Sequence, residues 1–342
     1  MTIESVSPER LLEVEGLHVT FFSRRGTAHA IRGVSLAIDR GETLGLVGES
    51  GSGKSVTALA VMGLIRLPGK ITGGDVRWKG ASLLGEQGER RLRHIRGKEI
   101  ALVFQDPMTS LNPLFTIGMQ IGEVLKHHMH MHKREARERT IELLELVGIS
   151  SPEKRVDQYP HEFSGGMRQR MLIAMSLACE PELLIADEPT TALDVTIQAQ
   201  ILELLAELQQ RLKVAVLLIS HDLGVVAQVC HRISVMYAGH IVESGAAQDV
   251  FERPGHPYTR GLLASTPRLD AVDVRLQGID GAPPDLVNPP SGCPYHPRCP
   301  LAIAQCTDEM PPLEMYDQRR EVACWRAFVE PVGETAGATS LG

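Results

Sequence analysis

The sequence predicts an α/β domain with a largely parallel sheet, followed by a C-terminal extension of a different character. Apolar runs of strand length alternate with longer segments of helical periodicity up to about residue 250 of 342. Such alternation is typical of a parallel sheet covered by helices. After Phe251 the prolines become dense and apolar residues sparse, which predicts a separate, loop-rich segment.

The elements of the α/β domain can be assigned in order. The run TLGLV is bounded by glycines and predicts a buried strand that ends in a loop, and VTALAVMGLI after Lys54 predicts a helix. Residues 116–149 have a helical pattern, and residues 195–212 place their apolar side chains on one helical face. The remaining segments predicted as strands are 11–22, 34–39, 99–106, 182–189, 214–220 and 232–244.

Composition argues against two classes of protein. The formal net charge of −7 is unfavourable for general nucleic-acid binding, because such proteins usually carry a basic surplus. A local basic run from Arg90 to Lys98 is interpreted as a solvated face rather than a nucleic-acid site.

No apolar run approaches the ~18–20 residues that span a bilayer, and the N-terminus lacks the apolar core of a signal sequence. We therefore expect a cytoplasmic protein whose membrane role comes through partners.

The stretch GESGSGKS fits the pattern G-x-x-x-x-G-K-[ST]. Such a loop aims its backbone N–H groups at nucleotide phosphates, with the N-terminal end of the next helix behind them. Lys54 is expected to reach the β- and γ-phosphates, and Ser55 to offer its hydroxyl to Mg²⁺. A flexible Gly/Ser turn is the alternative, but the stretch follows a predicted strand and opens a predicted helix. The predicted nucleotide-binding residues are Gly48, Glu49, Ser50, Gly51, Ser52, Gly53, Lys54 and Ser55.

An apolar strand ends in two carboxylates, Asp187 and Glu188. Successive strand residues point in opposite directions, but at the end of a strand the second acid can turn into the same site. Asp187 suits the Mg²⁺ shell, and Glu188 suits the orientation of an attacking water. An acidic turn after a core strand is the alternative interpretation, and the phosphate loop makes it the weaker one.

Two adjacent glycines precede a good helical run in FSGGMRQR. Glycine there costs backbone entropy and adds no packing, so something must approach this backbone closely. Phe163-Ser-Gly-Gly-Met167 resembles the signature of ABC transporter ATP-binding subunits, usually LSGGQ. In that family the motif starts a helix and faces the γ-phosphate of ATP bound to the opposite subunit. The resemblance implies that Ser164, Gly165 and Gly166 donate to that phosphate in trans.

Other family motifs follow in the same order along the chain. Gln105 in VFQDPMTSLNP resembles the Q-loop glutamine, which reaches Mg²⁺ and the attacking water and senses the membrane subunit. Thr191-Ala-Leu-Asp194 resembles the D-loop, which crosses the dimer interface, and His221 resembles the switch histidine that contacts the γ-phosphate. The resemblance thus implies hydrolysis by Glu188, His221, Gln105 and Lys54, and Mg²⁺ ligation through Ser55, Gln105 and Asp187.

The family also has an aromatic side chain that stacks on adenine. Phe22 is our assignment, with Phe21 and His29 as rivals because the motif is loose. The signature departs from its commonest form at Phe163 and Met167. Since the backbone donors are retained, we expect a competent ATPase.

The likeness is narrower than the ABC family as a whole. FQDPMTSLNP, VMYAGHIVESG and HPYTRGLL resemble the ATPases of dipeptide and oligopeptide importers, over nearly the whole chain. The resemblance implies a P-loop ABC ATP-binding domain, with a mixed sheet core, over residues 1–255, a helical subdomain inserted at about 106–180, and an importer-type extension over 256–342.

Importers of this group pair two different ATPase subunits with two integral membrane subunits and an extracytoplasmic substrate-binding protein. The resemblance therefore implies these partners, a peripheral location at the cytoplasmic face of the inner membrane, and no nucleic acid. Cargo selection lies in other subunits, so nickel, glutathione, murein peptides and sugar oligomers stay open beside peptides. The tract His127–His132 would fit a nickel or copper sensor, but we interpret it as a variable, solvated part of the helical subdomain.

Two rival functions come from other classes. A soluble ABC ATPase acting on ribosomes would carry two cassettes, and this chain has a single phosphate loop; DNA-repair types have long coiled coils, and none is visible. An exporter ATPase is disfavoured by FQDPMTSLNP and by the C-terminal cysteines.

Four of the six cysteines lie together near the C-terminus, in the spacing C-x5-C-x6-C-x17-C. This Pro-rich segment can hardly build its own core, so a metal would help it to fold. Disulfides are disfavoured in the cytosol, and zinc sites prefer closer pairs. Four thiolates suit a [4Fe–4S] cluster, and some peptide-importer ATPases resemble this pattern and carry one. Zinc and free thiols stay open. The proposed ligands are Cys293, Cys299, Cys306 and Cys324.

Overall fold

A computed structural model describes residues 10–24, 26–191, 193–265, 278–317 and 319–329 of the chain. Ala192 of the predicted D-loop lies outside the described residues. The same holds for those parts of the predicted domain ranges that fall in the gaps or at the chain ends. In chain order the described strands are β1 (Arg10–Ser23), β2 (Gly26–Asp39), β3 (Thr43–Val47), β4 (Gly69–Trp78), β5 (Ala81–Ser82), β6 (Ile100–Val103), β7 (Leu183–Asp187), β8 (Ala215–Ser220), β9 (Arg232–Tyr237), β10 (His240–Ala246), β11 (Glu314–Asp317) and β12 (Arg320–Val322).

Helices follow most of these strands. The described α-helices are α1 (Lys54–Val61), α2 (Gly85–Ile95), α3 (Pro107–Ser110), α4 (Ile117–Met129), α5 (Lys133–Leu146), α6 (Pro152–Arg155), α7 (Gly165–Ser176), α8 (Val195–Leu212), α9 (Leu223–Val229), α10 (Ala247–Glu252), α11 (Pro257–Ser265) and α12 (Ala304–Asp308). Short 3₁₀ helices occupy Pro160–Glu162 and His296–Arg298. Among the described helices none is long and apolar enough to cross a membrane.

The larger sheet has the order β11-β12-β10-β9-β3-β8-β7-β6. Strands β9, β3, β8, β7 and β6 are parallel to one another, and β10, β12 and β11 continue the sheet antiparallel. Every residue of β3, β7 and β8 is buried, as expected for central strands covered on both faces. The α/β prediction is confirmed, and the sheet is mixed.

Alternation along the central strands divides the core into two layers. Leu183 and Ile185 of β7 pack with one apolar cluster, whereas Leu184 and Ala186 pack with the other, because successive strand side chains point to opposite faces. The first cluster joins the larger sheet to a four-stranded antiparallel sheet of order β2-β1-β4-β5. The second cluster is covered by helices α4, α5, α7 and α8. Strand β4 was not predicted, since three glycines interrupt its pattern.

Helices α3 to α7 lie between β6 and β7, in the range where the sequence predicts an inserted helical subdomain, and the division into subdomains stays a prediction. The helical pattern over 116–149 is split into α4 and α5, because His130 adopts a left-handed conformation with φ of 56° and ends α4. The histidine tract therefore forms the end of one helix and the connection to the next.

The C-terminal extension is less separate than the sequence indicates. Strand β12 pairs with β10 of the main sheet, with Glu243 opposite Val322. At the predicted boundary, the buried carboxylate of Glu243 accepts hydrogen bonds from the backbone N–H groups of Gly255 and His256, at 2.7 and 2.9 Å. Beyond this anchor the rings of Tyr258 and Tyr295 pack against Tyr237 of β9 at centroid distances of 4.5 and 5.2 Å. The extension is thus built onto the sheet.

Candidate active site

Four loops meet at the carboxyl edge of the parallel strands. The phosphate loop, residues 48–55, follows β3, Gln105 follows β6, Glu188 follows β7 and His221 follows β8. All four contribute to one open cavity of about 810 Å³. A cavity outside the carboxyl ends of parallel strands is the usual ligand site of an open α/β sheet.

The phosphate loop depends on its glycines at two points. A Cβ on Gly48 would lie 2.1 Å from the carbonyl oxygen of Met236, so no side chain fits there. Gly53 has a φ of 110° and forms the N-cap of α1, a conformation that L side chains rarely adopt. Gly48 and the buried Ser52 lie behind the cavity wall. The loop residues that line the cavity are Glu49, Ser50, Gly51, Gly53, Lys54 and Ser55.

Lys54 is buried at the base of this loop, with 4% of its side chain exposed. Its ammonium donates to the carbonyl oxygens of Gly48 at 2.7 Å and Glu49 at 3.0 Å. Burial lowers the pKa of Lys54, and the carboxylates of Glu188 and Asp187 oppose that change. A polyphosphate that entered the cavity would offer the ammonium stronger acceptors than these two carbonyls.

Ser55 and Asp187 are in direct contact. The Ser55 hydroxyl donates to the Asp187 carboxylate at 2.9 Å. Burial raises the pKa of Asp187, although the Ser55 hydrogen bond and Lys54 oppose the rise. A hydroxyl and a carboxylate so placed provide two oxygen ligands of the type that Mg²⁺ prefers.

Glu188 is the most connected side chain of the site. One carboxylate oxygen accepts hydrogen bonds from Gln105 Nε2 at 2.9 Å and Thr191 Oγ1 at 2.8 Å, and lies 3.6 Å from His221 Nδ1. The other oxygen is 3.8 Å from Lys54 Nζ. His221, Thr191 and Lys54 together lower the pKa of Glu188 to about 2. The carboxylate is therefore ionised at neutral pH and can orient a water by accepting its hydrogen bond, although the low pKa makes it a weak proton acceptor.

His221 is more exposed than its partner, with 58% of its side chain accessible. The carboxylate of Glu188, 3.6 Å away, raises the pKa of His221 above its usual value, against the effect of burial. Glu188 and His221 thus favour each other's charged forms.

The signature motif lies outside this cavity. Ser164 is exposed and caps α7, and Gly165 and Gly166 are half-buried. A Cβ on Gly166 would lie 2.7 Å from Ile197 Cγ2, and one on Gly165 would lie 3.2 Å from Leu193 Cδ2. The glycine pair therefore has a packing role within the chain, which the sequence did not reveal. None of the described residues that line the cavity comes from the motif.

Phe22 lies near the end of β1 and is 47% exposed. It is not among the described residues that line the cavity, and neither is its rival Phe21, which is partly buried and packs against the core. The other rival, His29, donates its backbone N–H to the carbonyl oxygen of Leu286 at 3.4 Å. No aromatic side chain from the described part of this region lines the cavity wall.

The C-terminal extension supplies one wall of the cavity, which the sequence did not predict. Two of its side chains also hold the phosphate loop: Tyr258 and Arg298 hydrogen-bond to Glu49. A local motif could not predict these two contacts, because Tyr258 and Arg298 lie more than 200 positions from Glu49 in the sequence. The extension residues in the wall are Leu262, Ser265, Ile279, Pro283 and Leu286.

Cys293, Cys299, Cys306 and Cys324 line a second, small cavity of about 10 Å³, room for roughly one water molecule. Burial raises the pKa of Cys293 to about 11 and of Cys324 to about 12. Across the described chain, no group of three or more His, Cys, Asp or Glu side chains is arranged to hold a metal ion.

One buried donor at this small cavity has no partner. His256 lines the cavity and is 1% exposed. Its Nδ1 accepts a hydrogen bond from the Tyr258 backbone N–H at 3.0 Å, so Nε2 carries the ring proton. Nε2 has no hydrogen-bond partner, and burial lowers the pKa of His256 to about 3. A neutral N–H donor therefore stands beside four thiols with no acceptor.

Comparison with protein families gives two matches. Residues 31–191 match the family described as ABC transporter, and residues 242–306 match the C-terminal region of oligopeptide/dipeptide transporters. The dipeptide transport ATP-binding protein DppD of Bacillus subtilis is 52% identical over 93% of this chain and 95% of its own length. The oligopeptide transport ATP-binding protein OppD of Salmonella typhimurium is 50% identical over 94% of this chain and 95% of its own.

Solved structures agree in the fold. CbiO1 of Clostridium perfringens, part of the ABC transporter complex CbiONQ, superposes with a TM-score of 0.61 at 29% identity, covering 72% of this chain and 92% of its own. A dimeric, post-hydrolysis state of the ATP-binding cassette MJ0796, bound to ADP and phosphate, gives 0.61 at 28% identity, covering 69% and 99%.

The contact between Glu188 and His221 predicts a measurable titration. His221 in the wild type stays protonated to a higher pH than an ordinary histidine, because the carboxylate favours the charged ring. In Glu188→Gln the charge is removed while burial persists, so the pKa of His221 should fall. Histidine-selective ¹H–¹⁵N NMR across pH 5 to 9 measures the change. Glu182→Gln, at the other end of β7, should leave the titration unchanged; an unaltered midpoint in Glu188→Gln would contradict the contact.

Proposed function

The chain belongs to the ABC transporter family and is one of its ATPases, and we propose that it powers peptide import across a membrane. The proposal of peptide import follows from its similarity to the dipeptide and oligopeptide transport ATP-binding proteins. The observation that carries the proposal is the convergence of Lys54, Ser55, Gln105, Glu188 and His221 on one cavity. These side chains come from four separate loops. The chemistry they support together is phosphoryl transfer to water.

Each side chain has a distinct part in the proposed hydrolysis. Lys54 and the loop amides stabilise charge on the transferred phosphoryl group, and Glu188 orients the attacking water. His221 contacts the γ-phosphate, and Gln105 links Glu188 to the membrane side. Mg²⁺, held by Ser55, Asp187 and Gln105, would neutralise charge on the phosphate oxygens.

A second ATPase subunit completes the proposed site. Ser164 is exposed and lies outside the cavity of its own chain, so in this proposal its hydroxyl and the amides of Gly165 and Gly166 serve a nucleotide on the partner. The N-terminal end of α7 favours an anion at this position. ATP then closes the pair of subunits, and hydrolysis reopens it.

Five exposed apolar side chains fall in the segment 104–119 around Gln105, and they support membrane subunits as partners. Single exposed apolar side chains are ordinary, but a group of them at one place marks an interaction site. We propose that membrane subunits cover these side chains at the cytoplasmic face of the inner membrane and that a substrate-binding protein delivers cargo from the other side. The surface residues, with their exposed fractions, are Phe104 (47%), Met108 (62%), Leu114 (78%), Phe115 (46%) and Met119 (60%).

Co-purification followed by uptake tests this proposal. The tagged chain, extracted in detergent, should bring down two integral membrane proteins and a second ATPase, and a deletion strain should lose uptake of labelled di- and oligopeptides. A double variant, Met108→Asp and Leu114→Asp, should release the membrane proteins while leaving the chain folded, because both side chains are exposed. Val195→Asp is the matched control, since Val195 is also 78% exposed but lies in α8. Recovery of ribosomes or DNA, or loss of nickel uptake alone, would contradict peptide import.

We further propose that the four cysteines hold a [4Fe–4S] cluster. Four thiols around one cavity are the donor set of such a cluster. The unpartnered Nε2–H of His256 fits an acceptor such as a thiolate or sulfide. Since the cavity is only about 10 Å³, the side chains around it must move apart to admit the cluster.

Anaerobic purification tests the cluster. The protein should be brown and contain about four iron atoms and four acid-labile sulfides per chain. Cys299→Ser should remove most of both, whereas Cys179→Ala, a buried cysteine outside the cavity, should not. Stoichiometric zinc without sulfide would contradict the cluster and indicate a zinc site. A colourless, metal-free protein would also contradict it and indicate four free thiols.

A further inference from the structure

The C-terminal extension reaches the phosphate loop through one arginine. Arg298 donates two hydrogen bonds to the Glu49 carboxylate, from Nη1 at 2.7 Å and from Nη2 at 3.0 Å. The guanidinium is nearly buried, with 5% of the side chain exposed. A buried, two-pronged pair of this kind is both stronger and more directional than a surface ion pair.

Glu49 lies at the wall of the cavity that the proposed nucleotide would occupy. It lines the same cavity as Lys54, and its backbone carbonyl accepts a hydrogen bond from the Lys54 ammonium at 3.0 Å. A carboxylate without a partner at this position would repel a polyphosphate. Arg298 neutralises that charge.

Arg298 is itself fixed by the extension and by β9. Its side chain also donates to the carbonyl oxygens of Ile279 and Asp280, at 3.2 and 2.9 Å, and to the Tyr237 hydroxyl at 3.3 Å. The backbone of Arg298 lies in the 3₁₀ helix between Cys293 and Cys299. The position of the guanidinium thus depends on the fold of the cysteine-containing segment.

A second extension residue, Tyr258, also holds the phosphate loop. The backbone N–H of Glu49 donates to the Tyr258 hydroxyl at 2.8 Å, and that ring is fully buried. The backbone and the side chain of one loop residue are therefore both held by a segment that begins some 200 residues later.

We propose that Arg298 is a positioning residue for ATP binding: it neutralises Glu49 and holds the phosphate loop in place, so that the extension controls nucleotide affinity. This inference rests on the proposed function, since it assumes that the phosphate loop binds ATP. It assigns to the extension a role in the ATPase site, in addition to any metal that its cysteines hold.

Calorimetric titration of the full-length chain with Mg²⁺–ADP tests the proposal. Arg298→Ala should weaken ADP binding by about tenfold, because the freed carboxylate repels the phosphates. Arg298→Lys should recover part of the loss, since it restores the charge but not the two-pronged geometry. The double variant Glu49→Gln/Arg298→Ala should bind more tightly than Arg298→Ala alone, as the unpaired charge is gone. In ATPase assays the loss should fall mainly on KM.

Arg320→Ala is the matched control. Arg320 is in the same extension, is 4% exposed and donates two hydrogen bonds to one oxygen of Asp317, and its other hydrogen bonds go to the carbonyl oxygens of Asp249 and Arg253 rather than to the phosphate loop. It should lower the thermal midpoint of unfolding about as much as Arg298→Ala, with ADP affinity within twofold of the wild type.

Three results would overturn the inference: unchanged affinity in Arg298→Ala, an equal loss in Arg320→Ala, or no gain in the double variant. The variant Lys54→Ala distinguishes a failure of the Arg298 proposal from a failure of the proposed ATPase function. If Lys54→Ala abolishes ADP binding while Arg298→Ala leaves it intact, the phosphate loop binds nucleotide and the role of Arg298 alone is wrong. If Lys54→Ala also leaves binding intact, the proposed site itself is wrong.

Discussion

The common direction of four parallel strands determines the rest of this structure. Because β3, β6, β7 and β8 run the same way, the loops that follow them open at one edge of the sheet. The phosphate loop, Gln105, Glu188 and His221 come together for that reason, although they span more than 170 residues of sequence. The strands behind this edge are buried on both faces and closely packed.

Glu188 is the point at which these loops meet. Its carboxylate interacts with Gln105, Thr191, His221 and Lys54, each from a different segment. An added nucleotide would compete for the same donors. A movement of any one of these four side chains would alter the contacts of the other three, because all four share the Glu188 carboxylate. The C-terminal extension contacts the phosphate loop as well, through the ion pair between Arg298 and Glu49.

Local patterns were enough to predict the phosphate loop, Asp187 and Glu188, because each motif carries its own turn and strand. Contacts between distant segments could not be predicted. Arg298 and Glu49 are 249 positions apart, and no motif joins them. The close approach of Ile197 to Gly166, which leaves no room for a Cβ, depends on the packing of two helices. The break at His130 needs a left-handed backbone that periodicity does not reveal. The assignment of Phe22 and the roles of the site residues stay predictions.

We propose that this edge of the sheet hydrolyses ATP and that Glu188 orients the attacking water. Steady-state turnover and ATP affinity of Glu188→Gln, measured on the full-length chain, test it most directly. Glu182→Gln, an isosteric change at the opposite end of the same strand, is the control. Turnover should fall by at least about 100-fold while ATP affinity stays within about threefold, because Lys54 and the loop amides are unchanged. Normal turnover in Glu188→Gln would contradict the account.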